Sequence, residues 1–211
     1  QRSDLLAARL AARLGPAAAG ALVGILLPPC RDYYVALVAC MKAGAIAMPL
    51  DPASPAGEAE PEDLVCCLSA EALQERAASL AAWVCIVAAD QESVQKDDQL
   101  PDHATDQASE HASVGEAGPG GLPQALHRIV TSGSSGNRTR VTIGRSAMVI
   151  HAEELKQAYD YQRGRIYASL SRHTTAAGIN FFWRVLLNAA GAQIVDLHQQ
   201  RSYNPLNLSG L

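Results

Sequence analysis

The chain has 211 residues, 48% of them hydrophobic and 18% charged, with a formal net charge of −4 at neutral pH. That length and apolar content suffice for a globular core. The mildly acidic balance and the 5% aromatic content exclude a basic footprint for nucleic acid or a membrane surface, and a base-stacking platform. Small metabolites are the expected ligands, with no nucleic-acid or membrane partner.

The sequence opens on Gln1 rather than methionine and so reads as a piece of a longer product. Leu5, Leu6, Leu10 and Leu14 recur at helical spacing among Arg2, Arg9 and Arg13, which favours an amphipathic helix ending at Gly15-Pro16 over a transit peptide. The apolar run over 17–27 is too short to span a bilayer and ends in Pro28-Pro29. Within it, 21–27 has the continuous apolar character of a buried strand in a parallel sheet. A helix over 33–43 follows, with Asp32 as the expected N-cap and Gly44 as the expected C-terminal stop. A strand over 45–50 completes a β-α-β unit, the mark of α/β architecture. A Pro/Ala/Glu-rich loop over 53–63, a strand over 64–68, a helix over 69–81 capped by Ser69, and a strand over 83–88 fill out a first α/β part, 1–89.

Cys30, Cys40, Cys66, Cys67 and Cys85 form no C-x-x-C pair, and four of the five lie in apolar runs. They read as buried free thiols of a cytoplasmic protein rather than a disulfide framework or a zinc site. From 90 to 123 the character changes: eight acidic residues face a lone Lys96, and Gly118-Pro119-Gly120-Gly121 closes the segment. So few large apolar side chains cannot offset the entropy of ordering, and a mobile acidic loop is expected there. His103 and His111 within it read as solvated, because a metal needs preformed ligand geometry.

Residues 129–143, Ile-Val-Thr-Ser-Gly-Ser-Ser-Gly-Asn-Arg-Thr-Arg-Val-Thr-Ile, place a small-residue loop between two β-branched runs. Gly133 and Gly136 permit positive φ and leave amides uncovered, so successive N–H groups can converge on phosphate oxygens. Thr131, Ser132, Ser134 and Ser135 add hydroxyl donors, and Arg138 and Arg140 offer charge-assisted bonds. A flexible Gly/Ser hairpin loop with solvated arginines is the other reading of the same residues. No lysine follows the glycines as in a Walker A loop, no G-x-S-x-G elbow occurs, and the strand-like flank on both sides excludes a Rossmann fingerprint. Beyond the loop, a helix over 146–159 with Met148, Val149, Leu155 and Tyr159 inward, a strand over 166–170, a helix over 179–190 and a strand over 192–197 make a second α/β part, 124–211. His173 falls at the strand-to-helix turn of that part, where ligands of α/β sheets bind. A histidine that merely satisfies the turn's backbone is the plain alternative.

Thr131 to Gly136 with Val141 resemble the signature loop of the adenylate-forming superfamily, which comprises acyl- and aryl-CoA ligases, fatty-acyl-AMP ligases and peptide-synthetase adenylation domains. Two further segments resemble it independently: Val23-Gly24-Ile25 with Met41 to Pro52, and the turn Ser169 to Gly178. The resemblance implies layered parallel-sheet subdomains with a β-hairpin phosphate loop, in which Thr131, Ser132, Gly133, Ser134, Ser135, Gly136, Arg138 and Arg140 hold the phosphates of ATP and Mg2+ bridges phosphate oxygens. His173 and Gly178 would then lie on the side of a carboxylic acid, fatty or aromatic rather than an amino acid, that becomes acyl-AMP and passes to coenzyme A or a carrier-protein thiol.

Departures from the pattern are Arg138 for the usual proline, Thr139 for the usual lysine, Arg140 for the usual glycine, and Arg145 where many members have histidine. The resemblance also puts the adenine, ribose and C-terminal lysine motifs after Leu211, so the chain alone is not expected to catalyse adenylation. A truncated or degenerate domain kept for docking is the second expectation, and a small-molecule-binding α/β domain with no nucleotide role is the third.

Overall fold

The computed structural model describes residues 1–54, 63–81, 83–87, 125–130 and 139–189, with the backbone of 191–194. The acidic segment 90–123 and loop residues 131–138 lie outside the described residues.

Helix α1 (Arg2–Leu14) buries Leu6, Ala7 and Leu10 and leads into a 3-10 turn, Gly15–Ala18, opened by Pro16. Leu5 turns outward at 69% exposure, because its neighbour Leu6 occupies the inward face. Strand β1 (Leu22–Leu26) is buried throughout, as a strand with helices on both faces must be. Helix α2 (Arg31–Ala43) starts behind Cys30, not Asp32. Asp32 sits in the first turn, where it meets the Arg2 guanidinium at 3.0 Å. Gly44, at φ 78°, ends the helix in the left-handed region and returns its amide to Cys40 and Met41, which only glycine does without strain.

Strands β2 (Ile46–Pro49), β3 (Cys66–Ser69) and β4 (Val84–Ile86) follow, with helix α3 (Gln74–Leu80) between the last two. Ser69 does not cap that helix: it ends β3 and its hydroxyl bonds the Leu26 carbonyl at 3.3 Å, while the helical path opens with a 3-10 turn at Glu71. Strands β5 (Ala125–Val130) and β6 (Arg140–Gly144) form the expected antiparallel hairpin. All six strands make one sheet in the order β4-β3-β1-β2-β5-β6, parallel except for β6.

Period-two alternation along β1 divides the core. Val23 and Ile25 join α1, α2, Met148, Ile179 and Trp183 on one face, whereas Leu22 and Leu26 join Ala77 and Leu80 of α3 on the other. Helix α4 (Arg145–Ala158) and helix α5 (Ala176–Leu187) cover the first face, and strands β7 (Ile166–Ser169) and β8 (Gly191–Ile194) form a second, parallel two-stranded sheet. On α4 the inward residues are Met148 and Ala152; Val149 and Tyr159 are more than half exposed. The Arg145 guanidinium donates to the Met41 carbonyl, tying the end of the hairpin to the C-terminus of α2.

The five cysteines are free, and all but the half-buried Cys30 lie in the interior. Burial pushes the Cys40 and Cys67 thiols up to about 12, which removes them as nucleophiles. No helix among the described residues is long and apolar enough to cross a membrane.

Candidate functional site

Three connections meet at the C-terminal edge of the parallel strands, the edge at which α/β sheets bind ligands. β1 delivers Leu27 there and β2 delivers Asp51. β5 runs parallel to β2, so the chain enters 131–138 from the same edge. The turn between β7 and α5 then reaches over from the second sheet.

That turn is fixed from several sides. The Nε2 of buried His173 lies 3.1 Å from the Leu27 carbonyl, and since a carbonyl only accepts, Nε2 carries the proton. The Tyr33 hydroxyl donates to the His173 carbonyl at 2.8 Å, and the two rings meet edge to face with centroids 4.6 Å apart. Arg172 approaches Asp51 at 3.3 Å. Thr175 caps α5 by accepting from the Gly178 amide at 3.4 Å, while its hydroxyl donates to the Arg172 carbonyl at 2.8 Å. Gly178 is buried in the first turn of α5; a Cβ there would fall on the Arg172 carbonyl oxygen and lie 3.0 Å from the His173 Cα. The structure therefore brings His173 and Gly178 together, one bound to the end of β1 and the other making room for that bond.

At the hairpin, Thr139 and Arg140 are exposed where the chain re-enters β6. Arg128 donates through Nε to the Thr142 hydroxyl at 3.1 Å and through Nη1 to Asp63 at 2.9 Å. Arg140 stands 4.0 Å from the same carboxylate. The other residues expected to cradle phosphate, 131–138, lie outside the described residues. No group of three or more His, Cys, Asp or Glu among the described residues is arranged to hold a metal ion.

Sequence reasoning missed Asp63 and His127. Asp63 acts across 65 positions to Arg128, and no local pattern marks it. His127 sits in β5 beside a bulge, fully buried, with neither ring nitrogen hydrogen-bonded among the described residues. Burial pushes its pKa down to about 4, so the ring is neutral at neutral pH.

A six-stranded, mostly parallel sheet with helices on its faces and a histidine turn at its C-terminal edge defines an α/β protein. The family model described as AMP-binding enzyme matches residues 1–206, and the chain belongs to that family. No curated protein matches the chain.

Among solved structures, it resembles the nonribosomal peptide synthetase FmoA3 bound to alpha-methyl-L-serine-AMP, at 18% identity and TM-score 0.64 over 90% of this chain and 20% of that one. MatB from Rhodopseudomonas palustris is similar at 16% identity and TM-score 0.69, over 100% of this chain and 40% of that one. O-succinylbenzoate coenzyme A synthetase (MenE) from Bacillus subtilis, in complex with AMP, is similar at 13% identity and TM-score 0.66, over 94% and 49%. At these identities the likeness is one of fold, and the chain spans half or less of each of these proteins.

Proposed function

We propose that this chain forms the polyphosphate wall and the acid-side wall of a site that joins a carboxylic acid to AMP. The observation that carries the reading is the convergence of the hairpin, Leu27, Asp51 and the His173 turn at one sheet edge of an AMP-binding family member. In the proposed reaction a carboxylate oxygen attacks the α-phosphorus of ATP, and the bond from that phosphorus to the pyrophosphate oxygen breaks.

Thr131, Ser132, Gly133, Ser134, Ser135 and Gly136 would cradle the departing phosphates, with Arg138 and Arg140 offsetting charge in place of the usual lysine. Mg2+, when bound, supplies further neutralisation at the phosphate oxygens. His173 and Gly178 would line the acid side. With Nε2 given to Leu27, the imidazole serves there as a fixed wall. A fatty or aromatic acid as substrate, transfer to coenzyme A or a carrier thiol, and a cytoplasmic setting complete the reading. So does the division into 1–89, an acidic connection at 90–123, and 124–211.

The other reading is a degenerate domain that docks rather than catalyses. It is favoured by Thr139, exposed at the position where the family pattern has lysine. Thermal unfolding with and without millimolar Mg·ATP separates the two. Ligand at tenfold its Kd stabilises by about 1.4 kcal/mol, so the first reading expects the midpoint to rise by several degrees and the second expects no change.

A further inference from the structure

Helix α2 has two apolar faces. Tyr33, Ala36, Leu37 and Cys40 pack into the larger core. Tyr34, Val35 and Val38 stand on another face, below Arg31 at helical spacing. With Phe182 and Leu186, one turn apart on α5, they line a cavity of about 630 Å³. That is the size of a small-molecule site, and such sites have mostly apolar walls with a few placed polar groups. The cavity is open to solvent on the α5 side, where Leu186 is 44% exposed. Neither the hairpin nor the His173 turn contributes to its lining.

One charge at this cavity is uncompensated. Arg31, exposed in the first turn of α2, makes no hydrogen bond or ion pair among the described residues. The acids beside the lining are already paired: Asp32 meets Arg2 at 3.0 Å, and Asp4, next to the lining residue Ser3, meets Lys42 at 2.6 Å. Cys30 precedes α2 without capping it through its side chain, so the partial positive charge of the helix N-terminus adds to that of Arg31. A single guanidinium beside an apolar cleft matches a monoanion with two coplanar oxygens, which is a carboxylate. The aliphatic and aromatic walls match an apolar body.

The geometry points to this cavity as a binding site for a small amphiphilic carboxylate. Its chain or ring lies between Val35, Val38, Phe182 and Leu186, and its carboxylate accepts from the Arg31 guanidinium. The site is separate from the hairpin and the His173 turn, so it stands whether or not the chain takes part in joining an acid to AMP. Cys30 belongs to the lining and is the one cysteine of the five that is not fully buried, so a bound ligand covers its thiol.

The test is calorimetric titration of the chain with decanoate and with decanol, for wild type, Arg31→Gln and Leu186→Glu, two exposed positions at which substitution leaves the core intact. Wild type should bind decanoate with a Kd below about 1 mM and decanol about tenfold more weakly. Arg31→Gln should weaken decanoate about tenfold and leave decanol within about twofold. Leu186→Glu sets a like charge in the cleft and should weaken decanoate by about tenfold or more. Saturating decanoate should also slow the thiol-reagent reaction that Cys30→Ser abolishes. Equal decanoate affinity in wild type and Arg31→Gln, an unprotected Cys30 thiol, or no decanoate binding at about 1 mM would overturn the inference. A dimer, seen by light scattering, that Leu186→Glu dissolves would make a second copy of the chain the occupant and would overturn it as well.

Discussion

The turn after β7 and the foot of the β5–β6 hairpin face the same edge of the sheet but are held by different forces. In the turn, buried hydrogen bonds tie His173 to Leu27 and Tyr33 to the His173 carbonyl, and the exposed Thr175 hydroxyl caps the Gly178 amide. At the hairpin foot, a half-buried Arg128 and an exposed Arg140 share one exposed carboxylate, that of Asp63. Buried hydrogen bonds are costly to leave unmade and so enforce a single geometry. Exposed charges are screened, replaceable and weak, and so permit exchange. The contrast is the one expected of the two walls proposed above, a rigid acid side and a more yielding phosphate side.

The largest predicted effect strikes the turn. Gly178→Ala drives a methyl group into the Arg172 carbonyl, and no flexible side chain is available to yield. A loss of about 3 kcal/mol in urea unfolding is expected. Gly24→Ala, whose Cβ would meet the Leu64 and Leu50 side chains at 3.0 and 3.1 Å, should cost only about 1 kcal/mol. Equal costs would mean that the turn is no more rigid than the rest of the core.

The next effect belongs to the buried side of the hairpin. His127 has its pKa depressed from 6.5 to about 4, so between those values the unfolded chain binds a proton that the folded chain refuses. Stability should be full above pH 6.5 and fall as the pH drops toward 4, by about 3 kcal/mol in all. His127→Phe should flatten that slope. A slope unchanged by the substitution would place the acid sensitivity elsewhere.

Tyr33→Phe keeps the ring on His173 but leaves its carbonyl without the Tyr33 donor, for an expected loss of about 1.5 kcal/mol by thermal unfolding. The smallest effect lies at the foot: Asp63→Asn should lower stability by about 0.5 kcal/mol at low salt and by less as salt rises. A salt-independent loss of 2 kcal/mol or more would contradict the contrast between the two walls.

Much of the frame was legible because local chemistry decided it. The continuous run ending at Pro28-Pro29 became β1, Gly44 stopped α2 in the left-handed region, and the two β-branched runs around 131–139 paired as a hairpin. Residue type misled where the chain's path mattered more. Asp32 and Ser69 are good caps by composition, yet Cys30 precedes α2 and Ser69 remains in β3. Periodicity also overstated the inward face of α4, where small Ala152 is buried in place of Val149, and Tyr159 lies past the helix end under the Arg184 guanidinium, 5.2 Å from its ring. Of the site, the His173 turn and Arg140 were marked in the sequence. Their partners Tyr33, Leu27 and Asp63 were not, because pairings made across distant strands leave no local pattern.

The most direct test of the central claim compares Mg·ATP stabilisation of the chain with that of a Ser134→Ala, Gly136→Ala variant, read as the shift in unfolding midpoint at millimolar nucleotide. A shift of several degrees in the wild type that disappears in the variant is the predicted result. An equal shift in both proteins, or none in the wild type, would contradict a polyphosphate site at this hairpin.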